Sequence, residues 1–251
     1  MASCELSGKV AIVTGAGRNI GRAIALALAD AGAAILVNAR ESRAEADSVA
    51  AEIAAAGGQA LAHIGNVADE KAVRAMADTA LAAFGRIDIL VNNAALRREK
   101  PFAEMDYSEW REILDVTLDG AFHCTKACLP ALRASGAATI VNIGGLSAHT
   151  GAAHRAHVVT AKAGIVGLTR ALAHDLAADG ITVNCVVPGL IGTPRPKGQA
   201  EPAHHLTHGT ITGARGKPEE VAAVVRFLCT PAARYITGQA IHANGGAYLG
   251  G

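Results

Sequence analysis

Three glycines follow a short apolar segment near the start of the chain, with the order and spacing of a phosphate-binding turn. Val10–Val13 is apolar, Gly15, Gly17 and Gly21 follow, and an alanine- and leucine-rich stretch begins at Ile20. This order predicts a buried strand, a tight turn and a helix. Glycine lets backbone N–H groups come close to a ligand, and a helix N-terminus carries a partial positive charge. The stretch therefore predicts a seat for a pyrophosphate group.

A second group of residues capable of chemistry lies in the middle of the chain. His149, His154 and His157 crowd the segment that joins a predicted strand to a predicted helix, with Ser147 before them and Lys162 after them. Histidine exchanges protons near neutral pH. If the helix begins early enough, His154 and Lys162 share one face, because residues four positions apart lie above one another. The segment is a candidate acid–base centre, and a structural role for each histidine is the alternative.

The segment 190–217 contains proline, glycine and histidine with little periodicity, which predicts a lid over a substrate pocket. His204, His205 and His208 lie in it. Zinc binding would need a carboxylate or cysteine partner at a suitable spacing, and none is present. Substrate contact or simple loop polarity is the interpretation of these histidines, and no metal is predicted.

Bulk properties narrow the class of protein. The chain has 251 residues, of which 51% are hydrophobic, and a net charge of +1. The small charge argues against nucleic acid or an anionic membrane as the main partner. No apolar run reaches the roughly 18 residues that span a bilayer, and no signal peptide is visible. Five cysteines without a Cys-x-x-Cys pair predict reduced thiols in a cytoplasmic protein, with Cys124 and Cys128 in the core rather than reactive.

Strand and helix patterns alternate along the chain without a linker or composition break, so residues 1–251 are predicted to form one domain. Apolar strands alternating with helices predict an α/β fold in which both faces of a parallel sheet are covered, and chemistry is expected beyond the carboxyl ends of the strands. The predicted strands are 10–13, 34–38, 59–64, 87–92, 138–143, 181–187 and 239–242. The predicted helices are 20–29, 41–56, 70–84, 106–133, 154–178 after its first few residues, and one that opens at Pro218.

Five motifs in this order resemble those of the short-chain dehydrogenase/reductase family. The resemblance spans almost the whole chain and implies a single-domain Rossmann-type doubly wound sheet of about seven strands, an oxidoreductase activity on a small molecule, and a nicotinamide cofactor. The motifs are Thr14-Gly15-x-x-x-Asn19-x-Gly21, Asn92-Asn93-Ala94, Lys162 with the helix that follows it, Pro188-Gly189 with Thr193, and Thr237-Gly238-Gln239 with Asn244-Gly245-Gly246.

The resemblance also assigns the cofactor contacts and favours NADP(H) over NAD(H). Position 39, where relatives that select NAD carry a carboxylate, is Ala39, while Arg40 and Arg18 can clamp a 2′-phosphate. The alternative is that both arginines are solvated surface charges. The implied cofactor-binding residues are Gly15, Arg18, Asn19, Ile20, Gly21, Arg40, Asn66, Val67, Asn92, Ala94, Lys162, Pro188, Gly189, Ile191 and Thr193.

The family's catalytic groups are largely replaced. Its tyrosine falls at Val158, its serine at Gly145 and its asparagine at Thr117, so that only Lys162 remains. Three explanations stay open: His154, His157 or Ser147 takes over the acid, the substrate is an imine that needs little help from an acid, or catalysis is lost and the protein binds NADP(H) as a scaffold. The implied substrate pocket comprises Gly145, Val158, His149, Leu190, His204, His205 and His208.

Charged residues at the edge of this pocket have two interpretations. Arg97, Arg98 and Lys100 follow the fourth predicted strand and either favour an acidic substrate or are solvated loop charges. Asp119 is an anchor for a cationic substrate or an ordinary helix-surface residue. The resemblance further implies a homo-oligomer, a tetramer or a dimer, with the helix 106–133 at one interface.

Overall fold

A computed structural model describes residues 4–193 and 209–250, which form seven parallel strands in one sheet with the order β3-β2-β1-β4-β5-β6-β7. The predicted fold class and strand number are confirmed. Strand order reverses between β1 and β4, which is where a doubly wound sheet opens a crevice. The strands are β1 Val10–Val13, β2 Ala34–Ala39, β3 Ala60–Ile64, β4 Ile89–Asn92, β5 Thr139–Ile143, β6 Thr182–Pro188 and β7 Ala240–Ala243.

Successive side chains of each strand point to opposite faces of the sheet, and the strands are apolar on both. Helices therefore pack on both faces. One hydrophobic cluster packs α1, α2 and α8 against the sheet, and a second packs α3, α5 and the end of α7 against the other face. The helices are α1 Asn19–Asp30, α2 Arg43–Ala55, α3 Glu70–Phe84, α4 Tyr107–Leu114, α5 Gly120–Ser135, α6 Ser147–Thr150, α7 Ala156–Asp175 and α8 Pro218–Cys229.

Side-chain caps fix several helix starts. Asp69 accepts hydrogen bonds from the backbone N–H groups of the first turn of α3, and Gly85 ends that helix in a left-handed conformation, as its sequence predicts. The second helix begins later than predicted, since Ser42 caps it. The long helix predicted from Asp106 is interrupted by a π-helical segment, Asp115–Asp119, which separates α4 from α5.

The helix α7 begins two residues after His154, in agreement with the predicted start after the first few residues of 154–178. A short helix, α6, follows β5, and the chain then loops until Ala156. His154 has a φ of +59°, a left-handed conformation that a helix cannot include. The helix therefore does not extend back to His154, and the shared face with Lys162 is not formed.

Backbone hydrogen bonds join the two ends of the predicted lid. Gly192 N–H donates to Gly216 O at 2.8 Å, and Gly216 N–H donates to Leu190 O at 3.0 Å. His204, His205 and His208 lie outside the described residues. Across 4–193 and 209–250, no helix is long and apolar enough to cross a bilayer.

Candidate active site

The glycine turn between β1 and α1 is shaped by close backbone contacts. Gly15 has a φ of +61°, and Asn19 has a φ of +51°. Asparagine tolerates this conformation better than most residues, so it replaces a glycine here at little cost. A methyl group at position 21 would lie only 2.3 Å from Gly15 O, so Gly21 has to be glycine. The turn therefore keeps the compact shape of a phosphate seat.

The turn is held in place by the loop after β4. The side-chain amide of Asn93 donates to Thr14 O at 2.8 Å and to Gly15 O at 3.0 Å. In return, Thr14 Oγ1 accepts from the backbone N–H groups of Asn93 and Ala94, both at 3.0 Å. Sequence reasoning named Ala94 and missed the positioning role of Asn93, although the Asn-Asn-Ala motif marks it.

The N-terminus of α1 is open to an anion. Its N-cap position, Arg18, makes no side-chain capping bond, and the first turn has no acidic residue. Ser42, Asp69 and Asp106, by contrast, cap α2, α3 and α4. Uncapped N–H groups at a helix N-terminus are a site for phosphate. The turn and helix fit the pyrophosphate of a dinucleotide.

The end of β2 and the glycine turn carry the residues on which the predicted cofactor preference depends. Ala39 is buried and offers no carboxylate. Arg40 Nε lies 2.8 Å from a Glu41 carboxylate oxygen, and an Arg18 nitrogen lies 3.8 Å from Glu45. Both pairs are solvent-exposed, and such pairs contribute little. The two guanidinium groups can therefore turn to a 2′-phosphate.

The remaining predicted cofactor contacts fall at the carboxyl edge of the sheet. A methyl group at Gly189 would lie 2.6 Å from the Asn244 Cα, so this glycine allows the loop after β6 to meet the C-terminal segment. Asn66 Oδ1 accepts from Ala68 N–H at 3.1 Å. Ile20, Val67 and Pro188 are buried, while Ile191 and Thr193 are half-buried at the start of the predicted lid.

Asn92 differs from its predicted role, because its side chain does not point toward the glycine turn. Its Nδ2 donates to Asn142 Oδ1 at 2.8 Å and to Thr125 Oγ1 at 3.3 Å. Asn142 Nδ2 donates in turn to Thr169 Oγ1 at 2.9 Å. The Asn92 side chain thus belongs to a buried network that joins β4 and β5 to α5 and α7, and any cofactor contact there falls to its backbone.

Lys162 is the buried cation of the site. Its Nζ donates to Ile143 O at the end of β5, and the side chain is 5% exposed. Burial, together with smaller contributions from the nearby Arg97 and Arg155 and an opposing one from Cys185, lowers the pKa of Lys162 to about 7. The amine therefore titrates near neutral pH.

Two positions that the resemblance places beside Lys162 carry residues other than those of the family. A methyl group at Gly145 would meet only Lys162 Cγ, at 3.7 Å, and Cδ, at 4.0 Å, so Gly145 adjoins the stem of this lysine without crowding it. Val158 is 3% exposed and packs against Ile113, Leu114 and Ala161. The side chains around Val158 are apolar, and valine itself has no hydroxyl that could donate a proton.

Thr117 lies in the π-helical segment, a geometry often found at functional sites. Its Oγ1 is buried and, among the described residues, has no hydrogen-bond partner. A buried hydroxyl without a partner is costly and calls for an explanation, such as a water or ligand. Thr117 is therefore a polar group available to the site.

Among the described residues, the hydrogen bond of Lys162 Nζ goes to Ile143 O and none joins it to the candidate acids. His157 is fully buried, its Nδ1 accepts from Val158 N–H at 2.9 Å, and burial lowers its pKa. His154 is exposed, and its carbonyl accepts from Lys100 N–H at 2.7 Å. His149 instead packs its ring against His242, with centroids 4.6 Å apart.

The structure also places the predicted core cysteines, Asp119 and Ser147. Burial raises the pKa of Cys124 well above its usual value and that of Cys128 to about 12, so both thiols are unreactive core residues. Asp119 accepts from Arg111 at 2.7 Å on the helix surface. Ser147 opens α6, where its carbonyl accepts from Gly151 N–H at 3.0 Å.

Known proteins resemble this chain over nearly its whole length. The family model described as Enoyl-(Acyl carrier protein) reductase matches residues 15–248. A 3-oxoacyl-[acyl-carrier-protein] reductase from Synechocystis sp. is 43% identical over 247 residues, covering 97% of this chain and 98% of its own. A short chain dehydrogenase from Burkholderia cenocepacia J2315 in complex with NADP is 35% identical with a TM-score of 0.90, covering 97% of this chain and 99% of its own. A 7α-hydroxysteroid dehydrogenase complexed with NADH is 33% identical with a TM-score of 0.91, covering 98% and 96%.

Proposed function

Because the chain belongs to the short-chain dehydrogenase/reductase family, we propose that it is an NADP(H)-dependent oxidoreductase that reduces a C=N or C=O group of a small molecule without a tyrosine acid. One observation supports the proposal: the glycine turn held by Asn93 lies at the same edge of the sheet as a buried amine, Lys162, while Val158 occupies the position that the resemblance gives to the tyrosine. When bound, NADPH supplies a hydride.

We propose that Lys162 donates the proton that the substrate takes up on reduction. Its ammonium form can donate a proton to the oxygen or nitrogen of the substrate and then take another from water, because its pKa is about 7. The alternatives are less well placed, since His157 is enclosed and His154 lies outside α7. Ser147 remains a candidate for holding the substrate.

The chemistry of the pocket supports an imine as well as a carbonyl substrate. An iminium carries its proton before reduction, so it needs no tyrosine, and the apolar wall at Val158 suits it. The relative named 3-oxoacyl-[acyl-carrier-protein] reductase supports the carbonyl class. The direct test is a panel of ketones and cyclic imines followed by NADPH absorbance. Turnover of imines alone selects the first class, and turnover of ketones selects the second.

A second candidate function is an NADP(H)-binding scaffold without catalysis. The observation that favours it is the apolar enclosure of Val158 beside a seat that is otherwise complete. The two functions separate when NADPH labelled at the transferable hydrogen is incubated with cell extract. Loss of the label supports the reductase, and tight binding with a fully retained label supports the scaffold.

The choice of NADP(H) is tested by Arg18→Ala and Arg40→Ala. Each is expected to raise the Kd for NADPH about tenfold or more, because a hydrogen bond to a charged group contributes about 1.5–3 kcal/mol. The Kd for NADH should stay within about twofold, since NADH lacks the 2′-phosphate. Fluorescence titration of the bound nucleotide measures both constants.

The matched control is Arg74→Ala, because Arg74 is an exposed arginine that pairs with Glu70 on α3. It should leave both nucleotide affinities unchanged. Ala39→Asp should move the preference toward NADH by supplying the missing carboxylate. An unaltered NADPH affinity in both Arg18→Ala and Arg40→Ala would show that these arginines are only surface charges.

Val158→Tyr is expected to restore little ketone reduction. The new ring must enter the cluster of Ile113, Leu114 and Ala161, and overpacking of this kind costs about 1–3 kcal/mol of folding stability. Gly145 and Thr117 would still lack the family's partner groups. Thermal denaturation and ketone assays measure the two effects, and strong ketone turnover in this single variant would show that the site has kept the family geometry.

We also propose a homo-oligomer and a reducing, cytoplasmic setting. An apolar groove between α5 and α7 is lined by Phe122, Leu129, Leu168 and Leu172, with Phe122 47% exposed. This groove lies on the helices that the resemblance places at an interface. No disulfide bond joins the cysteines of the described residues. Sedimentation of the purified protein tests the oligomer.

A further inference from the structure

Three cationic side chains are brought to one place by three different elements. Arg97 lies in the loop after β4, Lys162 reaches the end of β5, and Arg155 stands at the N-cap position of α7. Strands β4 and β5 are neighbours in the sheet, so the loops after them are adjacent. The hydrogen bond from Lys100 N–H to His154 O, 2.7 Å long, joins the loop of Arg97 to the loop of Arg155.

The three cations are close enough to repel one another. Arg97 lowers the pKa of both Lys162 and Arg155, and Arg155 also lowers that of Lys162. Glu99 partly compensates Arg155 by raising its pKa. Repulsion between buried like charges is unfavourable, and a bound anion relieves it.

Arg97 has no such compensation within the described residues. No carboxylate there lies within 4.0 Å of its guanidinium, whereas the adjacent Arg98 pairs with Glu112 and Lys100 approaches Glu104 at 4.0 Å. Desolvation lowers the pKa of Arg97, although the residue as a whole is exposed to solvent. Arg97 therefore differs from Arg98 and Lys100 in the same loop, because each of those lies near a carboxylate.

We propose that Arg97, Arg155 and Lys162 form a receptor for an oxoanion, a carboxylate or phosphate, carried by the substrate. The inference rests on the proposed function, because it names the substrate class of the same site. A guanidinium binds either oxoanion through two parallel hydrogen bonds. Gly145 adjoins the stem of Lys162 and places no side chain of its own there, so the reducible group can approach from that side.

Anion binding also affects the proton donor. An anion beside Lys162 favours its charged form and so keeps the proton on the amine while the substrate is bound. The proton then moves from Lys162 Nζ to the oxygen or nitrogen of the substrate, and the neutral amine takes a proton from water. The kcat profile, which reports the substrate complex, should fall at a higher pH than the kcat/KM profile.

The first test uses binding and needs no turnover. Malonate and inorganic phosphate are titrated by calorimetry into the complex with NADP. Arg97→Gln is expected to weaken binding of the preferred anion about tenfold or more. The control Arg98→Gln should change it less than about twofold, and neither variant should change the affinity for NADP. Equal anion affinity in the wild type and Arg97→Gln overturns the receptor.

The second test compares a neutral substrate with its acid, 1-pyrroline with 1-pyrroline-2-carboxylate, and a ketone with the matching keto acid. The acids should have the higher kcat/KM in the wild type and lose that advantage in Arg97→Gln, and the milder Arg155→Lys should reduce it as well. Preference for the neutral compounds overturns the inference. If no compound turns over while Arg97→Gln still abolishes anion binding, the receptor stands and the proposed reductase activity fails.

Discussion

Lys162→Met is expected to lower kcat/KM by about 10²- to 10⁴-fold, the usual contribution of a positioned proton donor. The variant should fold at least as well as the wild type, because burial disfavours a charged amine at this position and methionine carries none. The combination of lost activity and retained thermal midpoint separates a catalytic role from a structural one.

The pH dependence of the wild type follows from the same amine. Its pKa of about 7 means that the donor loses its proton as the pH rises through 7, so kcat/KM for a neutral substrate should fall about tenfold per pH unit above that point. Lys162→Arg should keep the charge but lose the donor, because a guanidinium does not release its proton, so its residual activity should be low and show no such decline. A decline that persists in Lys162→Arg would mean that another group donates the proton.

The stability of the wild type should depend on pH in the opposite sense. The folded-state pKa of Lys162 lies below the ordinary value of 10.5, so the unfolded chain binds more protons between about 7 and 10.5. The contribution of this group to the free energy of unfolding therefore rises with pH across that window. Lys162→Met should remove this rise, and the exposed Lys71→Met should change neither activity nor the pH profile.

Gly21→Ala is expected to weaken NADPH binding about tenfold or more and to lower stability by about 1–3 kcal/mol. The added methyl group would lie 2.3 Å from Gly15 O and 2.5 Å from the Asn93 side-chain nitrogen, so the turn and its clamp must both move. Fluorescence titration measures the nucleotide affinity, and chemical denaturation measures the stability.

A control separates these two effects. Gly85 has a φ of +78° with no atom near its missing side chain, at the end of α3 and far along the chain from the glycine turn. Gly85→Ala should cost about 1–2 kcal/mol through backbone strain alone and leave the NADPH affinity unchanged. If Gly21→Ala binds NADPH as tightly as Gly85→Ala does, the shape of the turn is not what holds the nucleotide.

The elements were predictable from the sequence because their signals are local. The cap at Asp69 and the glycine at 85 define α3, and the apolar run at Val10–Val13 defines β1. The glycine turn was predictable for the same reason, since φ above zero restricts residue type. Asn19 confirms this, because its left-handed conformation is one that asparagine tolerates.

Side-chain direction was less predictable, because it depends on packing between distant parts of the chain. Asn92 and Asn93 are adjacent and identical in type. The Asn92 side chain hydrogen-bonds to Asn142 on the neighbouring strand, whereas the Asn93 side chain hydrogen-bonds to the backbone of the glycine turn. The histidines were grouped by sequence proximity, but His149 packs against His242 from the far end of the chain. Arg155 gave no sequence signal, since its importance lies in its distance from Arg97 and Lys162.

The loop after β4 has a consequence for how this protein can diverge. Asn93, at its start, fixes the glycine turn, and Arg97, four residues on, belongs to the cation cluster beside Lys162. An insertion or deletion between them would shift one group relative to the other. The loop therefore couples the proposed nucleotide site to the proposed substrate site. We expect substrate preference to change through single substitutions at the loop tip rather than through changes in the length of the loop.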